Sequence, residues 1–261
     1  MVNLIKNLKV ASILLATFFS LTCQAQENIL SDYYKLGLIV GINYMPTTNE
    51  ANSASIYYPT QKAFDLGLEY NFYQHKNFNF KAAFIWRPYN LKNSSFLKKE
   101  DTGQKRDAGG NYTIGPYEQF KIPILAEYTI PLSNKLSASL LLGPELIIYP
   151  NDDGYGSSLF ETKDKIEIGY REIDKSQEKT ISIGLNTGVS INLKTKPVLI
   201  KTNLIFHYQP EPLYTVTATM QNLLQSPNTI SKHTIKGNYL LFGFTIIPSK
   251  TIFKKKTASA N

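Results

Sequence analysis

The chain has 261 residues, enough for one large β-domain or two smaller domains. Hydrophobic residues make up 43% of it and charged residues 18%, a balance that excludes an intrinsically disordered chain. The formal net charge is +8, but the basic residues are dispersed along the sequence and do not indicate a nucleic-acid-binding protein. Aromatic residues reach 12%, which favours strands.

The N-terminus predicts a secretory signal peptide over residues 1–25. Lys6 and Lys9 precede the 13-residue apolar stretch "VASILLATFFSLT" (10–22), which is too short to span a bilayer as a helix. Cleavage after Ala25 removes the single cysteine, Cys23, and excludes disulfides and thiol chemistry from the mature chain. Cleavage before Cys23, as in a lipoprotein, is the alternative.

Eight segments then alternate apolar and polar residues with the period of two that predicts a β-strand. In "DLGLEYNF" (65–72), large apolar side chains take one parity and small, polar or charged ones take the other. Most segments have ten or more residues, the length that a tilted strand needs to cross a bilayer. Their approximate bounds are 34–45, 62–74, 77–89, 117–131, 135–149, 180–193, 198–209 and 235–247.

The connections between these segments alternate strictly in length. The short ones contain "QHKN", "PLSNK" and "KTKP". The long ones cover residues 46–61, 90–116, 150–179 and 210–234. Short periplasmic turns alternating with long external loops are typical of outer-membrane barrels. Pro123 in the fourth segment lacks a ladder donor, so we expect a bulge or a local kink there.

The two faces of the segments agree with this loop pattern. The predicted inner face is small and polar, too poor in apolar volume to make a dry core, whereas the large apolar side chains point outward. The prediction is an all-β fold: an eight-stranded antiparallel transmembrane β-barrel over residues 26–250, in the bacterial outer membrane. Residues 251–261 then form a basic periplasmic tail. Ten strands are the alternative, because the loops 150–179 and 210–234 each hold a stretch, such as "KIEIGYREI" (165–173), that can extend beyond the membrane as a hairpin arm.

Several stretches carry a family resemblance. They are "CQAQ" (23–26), "KLGLIVGINY" (35–44), "FKIPILAEYTI" (120–130), "LLGPELIIY" (141–149) and "GNYLLFGFTI" (237–246). With them the chain resembles the small outer-membrane β-barrel proteins of Bacteroidetes, the PorT-like or outer membrane beta-barrel domain family. The resemblance implies an envelope location and insertion by the barrel-assembly machinery, and it supplies no catalytic residues.

Charged side chains fall on the predicted inner face and form a candidate lumen network. Its members are Asp65, Glu69, Lys81, Arg87, Lys121, Glu127, Glu145, Lys201 and His207. Folding the strands about the short turns is expected to pair Asp65 with Arg87, Glu69 with Lys81, and Lys121 with Glu145. Buried charges must be paired, so the network predicts a salt-bridged plug that stiffens the barrel. A narrow gate or ion path is the functional alternative.

Catalysis and metal binding find little support in the sequence. His207 is the one histidine expected in the lumen, and it is the candidate for a lipid-modifying enzyme. The three histidines do not combine with a Ser and an acid at a recognisable spacing. No two histidines stand at ligand spacing, so neither a metal site nor a cofactor is predicted.

The functional expectation is therefore a non-enzymatic envelope protein: a scaffold, a surface-binding protein, or a factor for secretion or assembly. A narrow channel for ions or small solutes and an enzyme using His207 remain as alternatives. The long loops are the expected working surface, because loops on a rigid scaffold carry binding. Expected partners are outer-membrane lipid or lipopolysaccharide, the barrel-assembly machinery and an envelope protein, with no nucleic acid.

Overall fold

A computed structural model describes part of the chain. The described residues are 31–46, 48–50, 56–57, 60–103, 105–149, 170–173, 181–210, 212–220, 224–225 and 229–254. The predicted signal peptide, residues 1–25, lies outside them, as does the tail after residue 254. Among the described residues, no helix is both long and apolar enough to cross a membrane.

Eight strands form a closed antiparallel ring. They are β1 (Leu36–Met45), β4 (Gln61–His75), β5 (Phe78–Leu97), β6 (Ala108–Pro131), β7 (Leu136–Ile148), β9 (Ile181–Lys194), β10 (Val198–Tyr208) and β13 (Tyr239–Pro248). Each strand pairs with the next in this order, and the ring closes where β1 pairs with β13, with Leu38 opposite Ile246 and Tyr44 opposite Leu240. The predicted eight-stranded barrel is confirmed, and each of the eight predicted segments lies on one of these strands.

The remaining elements lie at the long-loop end, except for the short helix after β13, which lies at the short-turn end. A separate four-stranded sheet is built from β2 (Thr48–Glu50), β8 (Tyr170–Ile173), β11 (Pro212–Met220) and β12 (Thr229–Lys236), in the order β2-β12-β11-β8. A short strand, β3 (Ile56–Tyr57), pairs with β5. Helix α1 (Lys99–Thr102) joins β5 to β6, and α2 (Thr251–Lys254) follows β13.

The ring has eight strands and not the ten of the alternative. The expected extension of the loops beyond the membrane is present in the described residues, where β11 and β12 pair as a hairpin and β8, from the stretch 165–173, pairs with β11. Two barrel strands are longer than predicted, because β5 and β6 continue together beyond the barrel, where Leu97 pairs with Ala108. This extension and α1 at its tip are here called the β5–β6 arm.

The ladder at Pro123 keeps its register, so the expected bulge is not found there. Pro123 pairs with Glu145 in β7, and the next regular pair, Ala126 with Leu142, has the same register. The pairs between these two positions are interrupted, in keeping with the missing N–H of proline. Register shifts occur instead between β4 and β5 near residue 72 and between β5 and β6 near residue 90.

Alternation along the strands separates an apolar exterior from a charged interior. In β9 the burial alternates residue by residue, and the outward Ile183 is 65% exposed. The same exposure of large apolar side chains recurs around the ring, at Leu68, Phe84, Leu140, Phe206 and Phe242. Such a surface is unfavourable in water and favourable against lipid hydrocarbon, so it defines the membrane-facing belt of the barrel.

Candidate functional site

All nine predicted lumen residues lie inside the barrel, each no more than 3% exposed. They separate into two clusters along the barrel axis. The inner cluster, nearer the short turns, consists of Glu69, Lys81, Glu127 and Lys201. The outer cluster, nearer the long loops, consists of Asp65, Arg87, Lys121, Glu145 and His207. The strands place them by parity, since alternate residues of each strand face the lumen.

The inner cluster is a closed cycle of four charges. Lys81 Nζ lies 3.0 Å from Glu69 Oε2 and 3.3 Å from Glu127 Oε2. Lys201 Nζ lies 2.7 Å from Glu127 Oε2 and 3.7 Å from Glu69 Oε1. Each carboxylate therefore contacts both ammonium groups. Because Lys201 comes from β10 and the other three from β4, β5 and β6, the cycle links opposite walls of the barrel.

In the outer cluster, Asp65 is held by two cations. Arg87 donates from Nε to Asp65 Oδ1 at 2.8 Å and from Nη2 to Oδ2 at 3.4 Å. Lys121 Nζ donates to the same Oδ2. The three remaining guanidinium hydrogens are donated to Asn43 Oδ1 at 2.7 Å, Gln119 Oε1 at 3.2 Å and Met45 Sδ at 3.9 Å. The arginine is thus fully enclosed by acceptors, as a buried guanidinium requires.

The expected pair between Lys121 and Glu145 does not form. Lys121 stands opposite Ile147 across the β6–β7 ladder, whereas Glu145 stands opposite Pro123. Asp65 takes the lysine instead. The expected pairs of Asp65 with Arg87 and of Glu69 with Lys81 are both present.

Tyr239 connects the two halves of the outer cluster. Its hydroxyl donates to Glu145 Oε1, and Lys121 Nζ donates to the hydroxyl at 3.4 Å. Its ring lies 4.0 Å from the Arg87 guanidinium carbon and 4.5 Å from Lys121 Nζ, so the two cations also contact an aromatic face. His207 stacks on the ring, with centroids 4.6 Å apart and planes inclined by 9°.

His207 is positioned by its neighbours in the ladder. It stands opposite Asn186 of β9 and Tyr239 of β13. Its Nδ1 lies 2.8 Å from Asn186 Oδ1 and 3.4 Å from Glu145 Oε1. The absence of a side chain at Gly184 leaves room for the imidazole, since a Cβ there would lie 2.4 Å from Nε2. This contact makes Gly184 a packing partner of the histidine.

These contacts give His207 an acid and an amide but no nucleophile. In the part of the chain that the structure describes, no serine or threonine hydroxyl hydrogen-bonds to either ring nitrogen. Covalent catalysis by a histidine-activated hydroxyl needs that hydrogen bond. The geometry is that of an imidazole enclosed in a polar network.

An apolar layer separates the two clusters. It holds the side chains of Ile39, Ile85, Leu125, Leu141, Ile205 and Leu241, which are 2% to 8% exposed. Beside it lies a cavity of about 30 Å³ that reaches from Glu69 and Lys81 on one side to Glu145 and Tyr239 on the other. A space of this size holds one or two water molecules.

Both ends of the barrel are also filled. At the short-turn end, Tyr33, Leu199 and Ile247 pack together, and the Tyr33 hydroxyl donates to the Thr195 carbonyl at 2.9 Å. At the long-loop end, Met45 and Tyr89 are buried in the upper part of the lumen. The lumen of the described barrel is therefore a packed interior with balanced charge: four carboxylates face four cations, with His207 beside them.

Some polar lumen residues were not among the predicted site residues. Tyr239 is the most connected, and the others include the amides Asn43, Asn71, Asn79, Gln119 and Asn186. Strand parity places all of them inward, so the signal that located the charges also locates the amides. Only the contacts show that Tyr239 joins the outer cluster.

The described residues at the long-loop end form β-structure outside the ring. This end carries the four-stranded external sheet and the β5–β6 arm. The tip of the arm reaches the β11–β12 connection, where Leu224 N donates to the Asp101 carbonyl at 3.0 Å. The external sheet and the β5–β6 arm, which touches the β11–β12 connection, together form a candidate binding surface supported by the rigid barrel.

No family model matches the chain, and no curated protein matches it. Among solved structures it is similar to the outer membrane protein OprG of Pseudomonas aeruginosa, at 11% identity over 84% of this chain and 99% of that one, with a TM-score of 0.44. It is also similar to Neisserial surface protein A (NspA), at 12% identity over 81% and 96%, with a TM-score of 0.41. It is similar, too, to Ail, the attachment invasion locus protein of Yersinia pestis, at 8% identity over 82% of this chain and 99% of that one, with a TM-score of 0.30.

These TM-scores are too low to assign a family or a role, and the strand pairing of this chain defines its fold by itself. Its closed sheet turns large apolar side chains outward and buries eight charged groups within. That arrangement is stable only when lipid surrounds the sheet, and closed sheets of this kind are the construction of outer-membrane proteins. We conclude that the chain is an integral β-barrel protein of the bacterial outer membrane.

Proposed function

We propose that the protein is a non-enzymatic surface-binding protein whose barrel is a rigid membrane anchor and whose external β-structure engages an envelope or surface partner. The observation that carries this proposal is the contrast between the two parts. The lumen is filled by paired charges, while the long-loop end carries a separate four-stranded sheet and the β5–β6 arm.

The channel alternative is less well supported by the same interior. An ion entering from the long-loop side meets the outer cluster, then the apolar layer, then the inner cluster. Moving any of these charges aside leaves its partner buried and unpaired, which costs several kcal/mol. Planar-bilayer recordings of the purified barrel are therefore expected to show no discrete conductance, and regular single-channel steps would favour the channel instead.

The enzyme alternative rests on His207 and Glu145, and we propose that they are structural. A His207→Ala variant is expected to leave the lipid profile of the outer membrane unchanged. A modified lipid A or phospholipid that disappears in a deletion strain, and returns with the wild-type chain but not with this variant, would make the protein an enzyme.

The binding proposal is tested by removing the external sheet without touching the barrel. Replacing residues 212–235 with a short glycine-containing turn deletes β11 and most of β12, the two central strands of that sheet. A second variant replaces residues 93–112 with a similar turn and shortens the β5–β6 arm. In a deletion strain, surface binding and protein secretion are measured after complementation with each chain.

We expect wild type to restore the lost phenotype and the sheet-deleted chain to fail, although both reach the outer membrane in equal amount and folded form. The arm variant distinguishes whether the sheet alone or the joined surface is required. Full restoration by both shortened chains would remove the external structure from the function and leave a scaffold role for the barrel.

The finer assignments belong to the same proposal. The PorT-like resemblance supports a role in secretion or assembly in a Bacteroidetes envelope, with the barrel-assembly machinery as the insertion partner. Basic residues on the β5–β6 arm, such as Lys98, Lys105 and Arg106, are exposed and suit anionic lipopolysaccharide head groups by charge attraction. We propose that nucleic acid is not a partner.

A further inference from the structure

Lysines surround the short-turn end of the barrel. Every short turn and both chain ends carry at least one: Lys35, Lys76, Lys135, Lys194, Lys196 and Lys250. Five of the six are exposed and Lys194 is half-buried. They follow the whole circumference, since they come from the ends of β1, β4, β6, β9 and β13. This set is here called the lysine collar.

The collar has almost no acidic counterpart. The described segments 31–35, 74–78, 131–136, 193–198 and 248–252 contain one carboxylate side chain, Asp32. Within the described residues, none of the six lysines forms an ion pair with a carboxylate. Lys250 Nζ donates to the Ser31 carbonyl at 2.6 Å, and an ammonium group has two further hydrogens to donate. The described short-turn end thus carries six lysine charges against the single carboxylate side chain of Asp32.

The collar also lies at the height where the apolar belt ends. Each of its six lysines has an exposed apolar side chain within three residues along the chain: Leu36 at 51%, Phe78 at 45%, Leu132 at 57%, Leu193 at 43% or Ile252 at 43%. A side chain at the edge of a hydrocarbon-facing belt reaches the head-group level of the bilayer. Lysine stems extend along apolar surface and leave the ammonium in the polar layer. The collar therefore faces lipid phosphates.

One turn keeps its lysine in an unfavourable backbone conformation. Lys76 has φ +51°, the only positive φ of a non-glycine residue in the described part of the chain. Asparagine and glycine adopt this region more easily than lysine. A charged residue at this position is consistent with a role for the charge itself.

We propose that the lysine collar binds anionic phospholipid head groups of the leaflet that faces the short turns, and selects them over zwitterionic lipids. In an outer membrane this is the periplasmic leaflet. The inference rests on the membrane placement of the barrel and is independent of what the external sheet binds. Each lysine at an anionic surface favours a bound lipid about fivefold.

The test measures lipid selectivity at the protein surface. The barrel is reconstituted in phosphatidylcholine vesicles, and electron spin resonance gives the association constant of spin-labelled phosphatidylglycerol relative to spin-labelled phosphatidylcholine. The collar variant carries Lys76→Asn, which suits the left-handed backbone, and glutamine at the other five collar positions. The control carries glutamine at three exposed lysines of the long-loop end that are not among the residues proposed to contact lipopolysaccharide: Lys62, Lys92 and Lys236.

We expect wild type and the control to select phosphatidylglycerol several-fold, the collar variant to fall close to a ratio of one, and 0.5 M NaCl to reduce the wild-type ratio. A collar variant that keeps the wild-type ratio overturns the proposal, as does a control that loses as much selectivity. If the collar variant keeps the wild-type ratio, an acidic periplasmic protein becomes the candidate partner of the collar.

Failure of insertion is recognised separately. Trp86, the only tryptophan, lies on the outward face and is 36% exposed. Brominated lipids quench its fluorescence when the belt is in the bilayer. If quenching is absent in wild type, the membrane placement itself is wrong. If the wild-type protein is quenched but does not select phosphatidylglycerol, the collar proposal is wrong and the membrane placement stands.

Discussion

At the scale of single residues, the interior depends on carboxylates shared between two cations. Asp65 is completely buried and accepts hydrogen bonds from Arg87 and Lys121. Glu127 has the same relation to Lys81 and Lys201 in the inner cluster. Sharing gives each buried charge partners on two sides of the narrow lumen. It also makes the shared carboxylate the most sensitive position of each cluster.

We predict that Asp65→Asn destabilises the barrel by about 3–5 kcal/mol, because it leaves two buried cations without a counter-charge while keeping the side-chain shape. The free energy of unfolding is measured in urea with detergent micelles, using Trp86 fluorescence. The matched control is Glu118→Gln, an exposed carboxylate on β6, with an expected change of about 0.5 kcal/mol or less. Equal stability of the two variants would mean that the charge network contributes little.

At the scale of strands, β6 and β7 stay in register past Pro123 because Gly143 lies opposite the interrupted pairs that follow it. A Cβ on Gly143 would lie 2.0 Å from the Ile124 carbonyl oxygen, next to the interrupted pairs after Pro123. The two backbones therefore approach more closely here than a side chain permits. The extra residue of a bulge is not required, and the alternation of lumen and belt continues through the interruption.

Gly143→Ala is accordingly expected to destabilise the barrel by about 2 kcal/mol or more, since the new methyl group meets backbone rather than a movable side chain. Gly243→Ala is the control: its Cβ would lie 3.0 Å from the Val40 carbonyl oxygen, which requires a small shift, and the expected loss is about 1 kcal/mol or less. Urea unfolding of both variants checks the order. The reverse order would show that the β6–β7 contact relaxes freely.

At the scale of the whole molecule, the barrel has two different ends. The short-turn end is compact and carries the lysine collar, and the long-loop end carries the external sheet and the β5–β6 arm. The single cysteine of the chain is Cys23, in the predicted signal peptide, so introduced cysteines report on topology without a competing thiol in the barrel.

With a membrane-impermeant maleimide, Lys105→Cys on the arm is expected to react in intact cells, and Asn134→Cys in the β6–β7 turn only after the cells are lysed. Both positions are exposed, so the difference reports which side of the membrane each end occupies. Unmodified protein is the control for background labelling. Labelling of Asn134→Cys in intact cells, with protection of Lys105→Cys, would show that the short turns face the outside and the long loops the periplasm.

Much of this architecture was predictable because residues along every barrel strand alternate between the lumen and the lipid-facing side. Parity placed all nine charged lumen residues inward, and the turn "QHKN" brought Asp65 to Arg87 and Glu69 to Lys81 across one hairpin. The third expected pair, Lys121 with Glu145, does not form because Lys121 binds Asp65 instead. Asp65 lies on β4, which is separated from β6 by β5. Hairpin register could not show that a partner from further around the ring is closer than the one on the adjacent strand.

Alternation, segment length and the order of short and long connections determined the barrel, its strand number and its apolar exterior from the sequence alone, since these are local properties of each strand. Tertiary structure decided which lumen charges meet, that Tyr239 joins Arg87, Lys121, Glu145 and His207, and that the loop strands form their own sheet above the ring. Closure is the physical reason: it brings residues from distant strands within 4 Å across a narrow lumen, and no pattern along one strand records that distance.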